Sequence, residues 1–259
     1  IISLESGELK KSIDTELDVF SSITVDSKLF YFGSKQDTVT AINHENGSLL
    51  WQRLMTSEIM SISRFSANNE AIYVRTNDSK ISAIDVNTGK FLWVNSQLPP
   101  SLSIRGTSSI LLEDDNVFVG LDDGKIVSFN STNGDIIWQT QLPAAKAETI
   151  IDRLNDVDGS MIIDNGTLFA ISYQGSIAAI DSFTGQVLWS REASSLYGLT
   201  ANDDNIFYID DDGMTMKWLT KYSPRVLTLT GYLNKYNRYL KDTIIEKDLS
   251  THTKLVKDC

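Results

Sequence analysis

KISAIDVNTGKFLW, residues 80–93, is the stretch that decides the fold. Ile81, Ala83 and Asp85 alternate with Ser82 and Ile84, and a period of two marks a strand. Asp-Val-Asn-Thr-Gly at 85–89 is turn chemistry. Gly89 suits the left-handed position of a type I turn closed by a bulge. Phe91, Leu92 and Trp93 open the next strand.

Near-copies recur along the chain. They read TVTAINHENGSLLW at 38–51, KIVSFNSTNGDIIW at 125–138 and SIAAIDSFTGQVLW at 176–189. A degenerate copy, IISLESGELKK, begins the chain. The turn glycines are Gly7, Gly47, Gly89, Gly134 and Gly185, spaced 40, 42, 45 and 51 residues apart. Trp follows Gly by four residues in four copies, and Lys11 takes its place in the first. Upstream apolar runs lie at Leu29–Phe32, Ile72–Val74, Val117–Val119, Leu168–Ile171 and Ile206–Ile209, each after a turn rich in Asp, Asn or Gly. A shorter strand precedes each turn, as in SSITV or GSMII.

The unit is thus four short antiparallel strands, with no convincing helix. The fold class is all-β, and four-stranded units at this period indicate a β-propeller. A solenoid of sheets is the minor alternative. Repeats end near 11, 51, 93, 138 and 189, and a further blade starts at about 198. Ala at 41, 83 and 179 suits a crowded strand. The Trp suits a wedge between sheets, its N–H finding a backbone carbonyl.

Composition narrows the function classes. Among 259 residues, 41% are apolar and 22% charged, a globular balance. No apolar run approaches the ~18 residues of a membrane span. Net charge is −11, which disfavours nucleic acid. The lone Cys259 excludes an intrachain disulfide and a multi-cysteine metal site.

The pattern A-I-D-x-x-T-G-x-x-L-W resembles the quinoprotein-type (PQQ-like) repeat. Two joins between repeats narrow this: PSLSIRGTSSI at 100–110, and ETIIDRLNDVDGSMIIDNGTLFAISYQGSIAAID at 148–181. Both resemble the outer-membrane protein assembly factor BamB family, with similarity from about residue 1 to 213. The resemblance implies an eight-bladed periplasmic propeller, lipid-anchored to the outer membrane of a Gram-negative bacterium. It implies a non-enzymatic scaffold of the β-barrel assembly machinery that docks on the POTRA domains of BamA. Unfolded outer-membrane protein precursors are a further implied partner class. Carried over, the docking residues are Leu102, Ile104 and Arg105 in one join, and Asp156 and Asp158 in the other. An Arg with adjacent apolar side chains suits an interface. Taken alone, the same residues also fit inter-blade filling and an internal ion pair.

An enzyme of the quinoprotein class would need a PQQ pocket, calcium, a catalytic Asp and commonly a vicinal Cys pair. This chain has no such pair, and His44 and His252 lack metal-ligand spacing. No catalytic residue, metal or cofactor is expected. A PQQ-dependent dehydrogenase fragment and a generic extracytoplasmic protein-binding propeller are the alternatives. The Asp clusters at 114–115, 122–123, 203–204 and 210–212 read as solvated turns rather than calcium loops.

The repeat loses register after Gly213. Residues 1–213 carry 14 Lys/Arg against 30 Asp/Glu, while 214–259 carry 9 against 4. The basic tail is read as a divergent blade, a genuine extension or the product of a shifted reading frame. Its Lys, Asn, Tyr, Ile and Leu content favours the last. The reading expects no regular blade over 214–259. It further expects a fragment of about five blades, beginning inside a repeat, whose ring does not close.

Overall fold

The computed structural model describes residues 1–21, 23–26, 28–65, 70–98, 108–143, 156–157, 159–202, 205–211, 213 and 215–219. Among the described residues there is no helix. The described residues form nineteen strands in five antiparallel sheets, each paired in sequence order. The first sheet holds β1 (Thr24–Val25), β2 (Leu29–Gly33), β3 (Thr38–Asn43) and β4 (Leu49–Leu54). The second holds β5 (Ile59–Phe65), β6 (Ala71–Thr76), β7 (Lys80–Asp85) and β8 (Phe91–Ser96). The third holds β9 (Leu111–Glu113), β10 (Asn116–Gly120), β11 (Lys125–Asn130) and β12 (Ile136–Gln141). The fourth holds β13 (Ile162–Asp164), β14 (Thr167–Ile171), β15 (Gly175–Asp181) and β16 (Val187–Ala193). The fifth holds β17 (Thr200–Asn202), β18 (Asn205–Ile209) and β19 (Thr215–Leu219). First strands adjoin along the series, β1 with β5 and β5 with β9.

The hairpin read from KISAIDVNTGKFLW is present and repeated. Asp85 Oδ1 accepts the N–H of Thr88 at 2.7 Å and that of Asn87 at 3.2 Å, which folds the chain back on itself. The Gly89 N–H donates to Asp85 O at 2.9 Å. Gly89 has φ +64°, and the β7–β8 register slips between Ala83 and Ile84, the expected bulge. Asn43, Asn130 and Asp181 make the same turn, with Gly47, Gly134 and Gly185 at positive φ.

Three of the Trp residues reach forward. Trp51 Nε1–H donates to Val86 O at 2.8 Å, Trp93 to Ser131 O at 2.8 Å, and Trp138 to Ser182 O at 2.9 Å. All three carbonyls belong to the turn of the following sheet. The ring then lies on that turn's glycine: a Cβ on Gly89, Gly134 or Gly185 would come within 2.6 Å of Trp51, Trp93 or Trp138. Lys11, in the Trp place of the first copy, donates through Nζ to Glu45 O. Sequence reading assigned the wedge to Trp, and the structure adds why glycine faces it.

The crowding around Ala also has a source. Ala83 pairs with Tyr73 on one side and Trp93 on the other. The two rings meet across it, with centroids 5.8 Å apart. Tyr31–Trp51, Phe118–Trp138 and Phe169–Trp189 repeat the contact across Ala41, Ser128 and Ala179. A larger side chain there would force the rings apart.

Four apolar cores lie between successive sheets. The first joins Tyr31, Ala41 and Trp51 to Ile72, Val74 and Ile84, and the last joins Phe169 and Ala179 to Ile206 and Tyr208. Among the described residues no core joins the fifth sheet to the first. Beside the first sheet's other face, Ile2, Leu9, Val19 and Ile23 are exposed together with Val25 of β1, and they border a cavity of about 680 Å³.

One boundary differs from expectation. The repeat's motif loses register after Gly213, yet β19 at 215–219 pairs with β18 in regular antiparallel register. The missed strand lacks the small-residue signature: Lys217 stands opposite Phe207, where Ala179 stands opposite Phe169. Residues 220–259 of the basic tail lie outside the described residues.

Candidate functional site

The joins between sheets are where the repeat gives way, and they carry the candidate site. Leu102, Ile104, Arg105 and Asp158 lie outside the described residues. Asp156 is described and fully buried. Its backbone carbonyl accepts the Tyr173 N–H at 2.9 Å. So Asp156 is buried and held to the turn after β14.

The described ends of both joins converge on one hairpin, the turn between β10 and β11. From the first join, Ser108 Oγ donates to Gly120 O at 2.9 Å and accepts from Arg75 Nη1 at 3.2 Å. Arg75 Nη2 is ion-paired with Asp122 Oδ1 in that same turn. Their side chains are only 2% and 6% exposed. From the second join, the Val157 N–H donates to Leu121 O at 3.3 Å. Val157 also packs on Gly120, where a Cβ would stand 2.6 Å from its Cγ1.

This corrects the sequence reading of Asp122 as a solvated turn residue. Its carboxylate is buried because an arginine from the preceding sheet is aimed at it. Burying two charges is tolerated when they pair and the remaining polar atoms find partners. Ser108 supplies one such partner, while Arg75 Nε has none among the described residues. Sequence reasoning passed over Arg75, although a signal existed. In the column formed by the second strands, Arg75 aligns with Gly33, Gly120, Ile171 and Ile209, and a lone charge there needs an acidic neighbour.

The second join meets a third. Gly159 and Gly198 are back to back: a Cβ on Gly159 would stand 2.4 Å from Tyr197 O, and one on Gly198 would stand 2.5 Å from Ser160 N. The Leu199 N–H donates to Ser160 O at 2.9 Å. Only glycine permits that approach at both places.

Elsewhere the titrating groups serve the scaffold. Burial, with Asp26 beside the hydroxyl, pushes the Tyr31 phenol well above its ordinary value. Burial also raises Tyr73, which donates to Ser131 O. Among the described residues no group of three or more His, Cys, Asp or Glu is placed to hold a metal ion.

Meander sheets in series, sealed by a forward-reaching Trp on a turn glycine, define a β-propeller of the quinoprotein-like kind. The chain belongs to the BamB family: the family model for outer membrane protein assembly factor BamB matches residues 6–223. Outer membrane protein assembly factor BamB of Escherichia coli K12 is 30% identical over 194 residues, covering 75% of this chain and 49% of that protein. The Yersinia pestis counterpart is 28% identical over 190 residues, covering 73% and 48%. The chain therefore spans about half the length of the curated relatives it matches. The crystal structure of BamB from Moraxella catarrhalis superposes with a TM-score of 0.75 at 24% identity, covering 84% of this chain and 66% of that one. Quinohemoprotein alcohol dehydrogenase from Comamonas testosteroni gives a TM-score of 0.62 at 15% identity over 80% of this chain and 42% of that one. These two structural likenesses speak to the fold alone.

Proposed function

We propose that the chain is part of a non-enzymatic scaffold subunit of the outer-membrane β-barrel assembly machinery, working at the periplasmic face of the outer membrane. It docks on the POTRA domains of BamA through the irregular joins, with Leu102, Ile104, Arg105 and Asp158 as the contacting residues. Asp156, buried as it is, holds its join in shape beneath them. Outer-membrane barrel precursors are the clients that such docking brings to the insertion site.

The observation that supports this reading is the family match running through all five sheets, 6–223. A repeat built for packing leaves its irregular joins as the places where a partner is read. Apolar residues beside an Arg in a Pro- and Ser-rich join suit a desolvated docking patch.

The test is a titration of purified BamA POTRA domains against the chain. Arg105→Ala and Leu102→Ala are each expected to weaken binding tenfold or more, with the melting temperature unchanged. Binding unaffected by either change would sink the docking reading. A dye-linked assay with added PQQ covers the dehydrogenase alternative, and no turnover is expected.

A further inference from the structure

Two joins separated by a whole sheet converge on the four-residue turn Leu121 to Gly124 and on Gly120, the end of β10, just before it. On one side Ser108 is tied to Gly120 O and to Arg75. On the other Val157 is tied to Leu121 O and packed on Gly120. Between them, Asp122 of the turn is locked to Arg75, which belongs to β6 of the preceding sheet. Among the described residues this ion pair is the most enclosed: Lys80–Asp78 and Lys125–Asp123 have side chains 25–40% exposed, and Lys35–Asp18 61–69%.

The location of the pair is informative. Apolar residues would seal two sheets at least as well, since a buried ion pair contributes little net stability against well-packed apolar replacements. What an Arg–Asp–Ser linkage adds is geometry. The guanidinium has a fixed fork, so its two terminal nitrogens set Ser108 and Asp122 in one arrangement. Ser108 lies three residues after Arg105, within ~10 Å of chain reach. Val157 lies between Asp156 and Asp158. The turn is therefore the shared footing of both candidate docking segments.

We propose that Arg75 and Asp122 are positioning residues: their buried ion pair fixes the β10–β11 turn, and that turn sets the spacing of the two joins that meet the partner. They touch no partner themselves. The consequence for docking rests on the function proposed above, while the bracing itself does not.

The experiment separates the two. Removing one charge would leave the other buried and unpaired, and the chain would unfold in part. The informative variant is therefore the double change Arg75→Met with Asp122→Asn, in the full chain. Amide hydrogen exchange is followed residue by residue by NMR, with Ala179 of β15 as the internal reference. The Val157 and Tyr173 amides are expected to exchange at least tenfold faster in the double variant, with Ala179 changed less than twofold. Arg75→Lys, which keeps the charge but loses the fork that holds Ser108 and Asp122 together, is expected to retain only part of the protection at Val157. POTRA binding by the double variant is expected to fall tenfold. Unchanged exchange at Val157 and Tyr173, or acceleration matched at Ala179, overturns the brace. Accelerated exchange with wild-type POTRA binding, in both the double variant and Arg105→Ala, supports the brace and overturns the docking reading.

Discussion

Gly134 lies flat against the ring of Trp93, so close that a Cβ would stand 2.5 Å from the indole Cδ2. Gly134 also has φ +75°. Alanine at this position meets two penalties, the left-handed backbone and the ring. Gly134→Ala is expected to cost about 2–4 kcal/mol. Gly47→Ala meets mainly the first, because its nearest atom is Ile13 Cγ2 at 3.5 Å. Its expected cost is about 1–2 kcal/mol. Urea denaturation of the two variants measures the difference, and equal losses would count against the ring contact.

The small residue between the rings makes a second prediction. Ala83 separates Tyr73 from Trp93, so Ala83→Leu is expected to destabilise by about 1–3 kcal/mol. Ser128 holds the same place in the third sheet, fully buried, its Oγ without a hydrogen-bond partner among the described residues. Ser128→Ala is expected to stabilise by about 1 kcal/mol, since a buried hydroxyl is exchanged for the residue that its neighbours carry. Thermal melts of both variants give the signs directly.

A third concerns pH. Asp181 accepts the Thr184 N–H at 2.8 Å, the Thr184 hydroxyl at 2.9 Å and the Phe183 N–H at 3.1 Å. These bonds, those from Thr184 foremost, hold its carboxyl below the ordinary range. A group whose folded pKa is lowered adds stability above its unfolded pKa, and that stability is lost as pH falls through the folded value. Asn43 and Asn130 make the same turn, so Asp181→Asn keeps the fold without the titration. The wild type is expected to lose more stability than Asp181→Asn as pH drops below about 4. Urea midpoints from pH 7 to pH 3 provide the check, and parallel curves would refute it.

The fourth concerns association. Ile23 and Val25 are 56% and 60% exposed on the face of the first sheet that no described sheet covers. An apolar face with unpaired strand neighbours promotes self-association. Ile23→Lys with Val25→Lys is expected to lower light scattering at high protein concentration and to leave the melting temperature within a few degrees. Scattering that does not fall would place the sticky surface elsewhere.

Much of the scaffold was legible because a short motif carried its own geometry. Asp85 and Gly89 announce the turn, and Trp93 announces the wedge, each within a few residues. The aromatic partners were not legible in this way: Tyr73 meets Trp93 only after three strands have paired, and no local spacing encodes that. Arg75 and Asp122 are 47 residues apart and meet across two sheets, so each looked ordinary alone. β19 escaped because Lys217 stands in the register position held elsewhere by Ala or Ser. The proposed docking residues were legible only through family resemblance, since joins follow no period.

The contact of Trp51, Trp93 and Trp138 with the next turn has a direction, always from one sheet to its successor. A chain made from its N-terminus finishes each sheet with its indole still uncovered, and covers it only when the following turn arrives. The growing end is thus always the unsealed end, and each new hairpin completes the one before it. Among the described residues Trp189 is half-buried, packed against the core between the fourth and fifth sheets. Assembly of this kind advances like a ratchet, one indole per step. A fault in one turn should stall the step behind it and leave the earlier sheets intact.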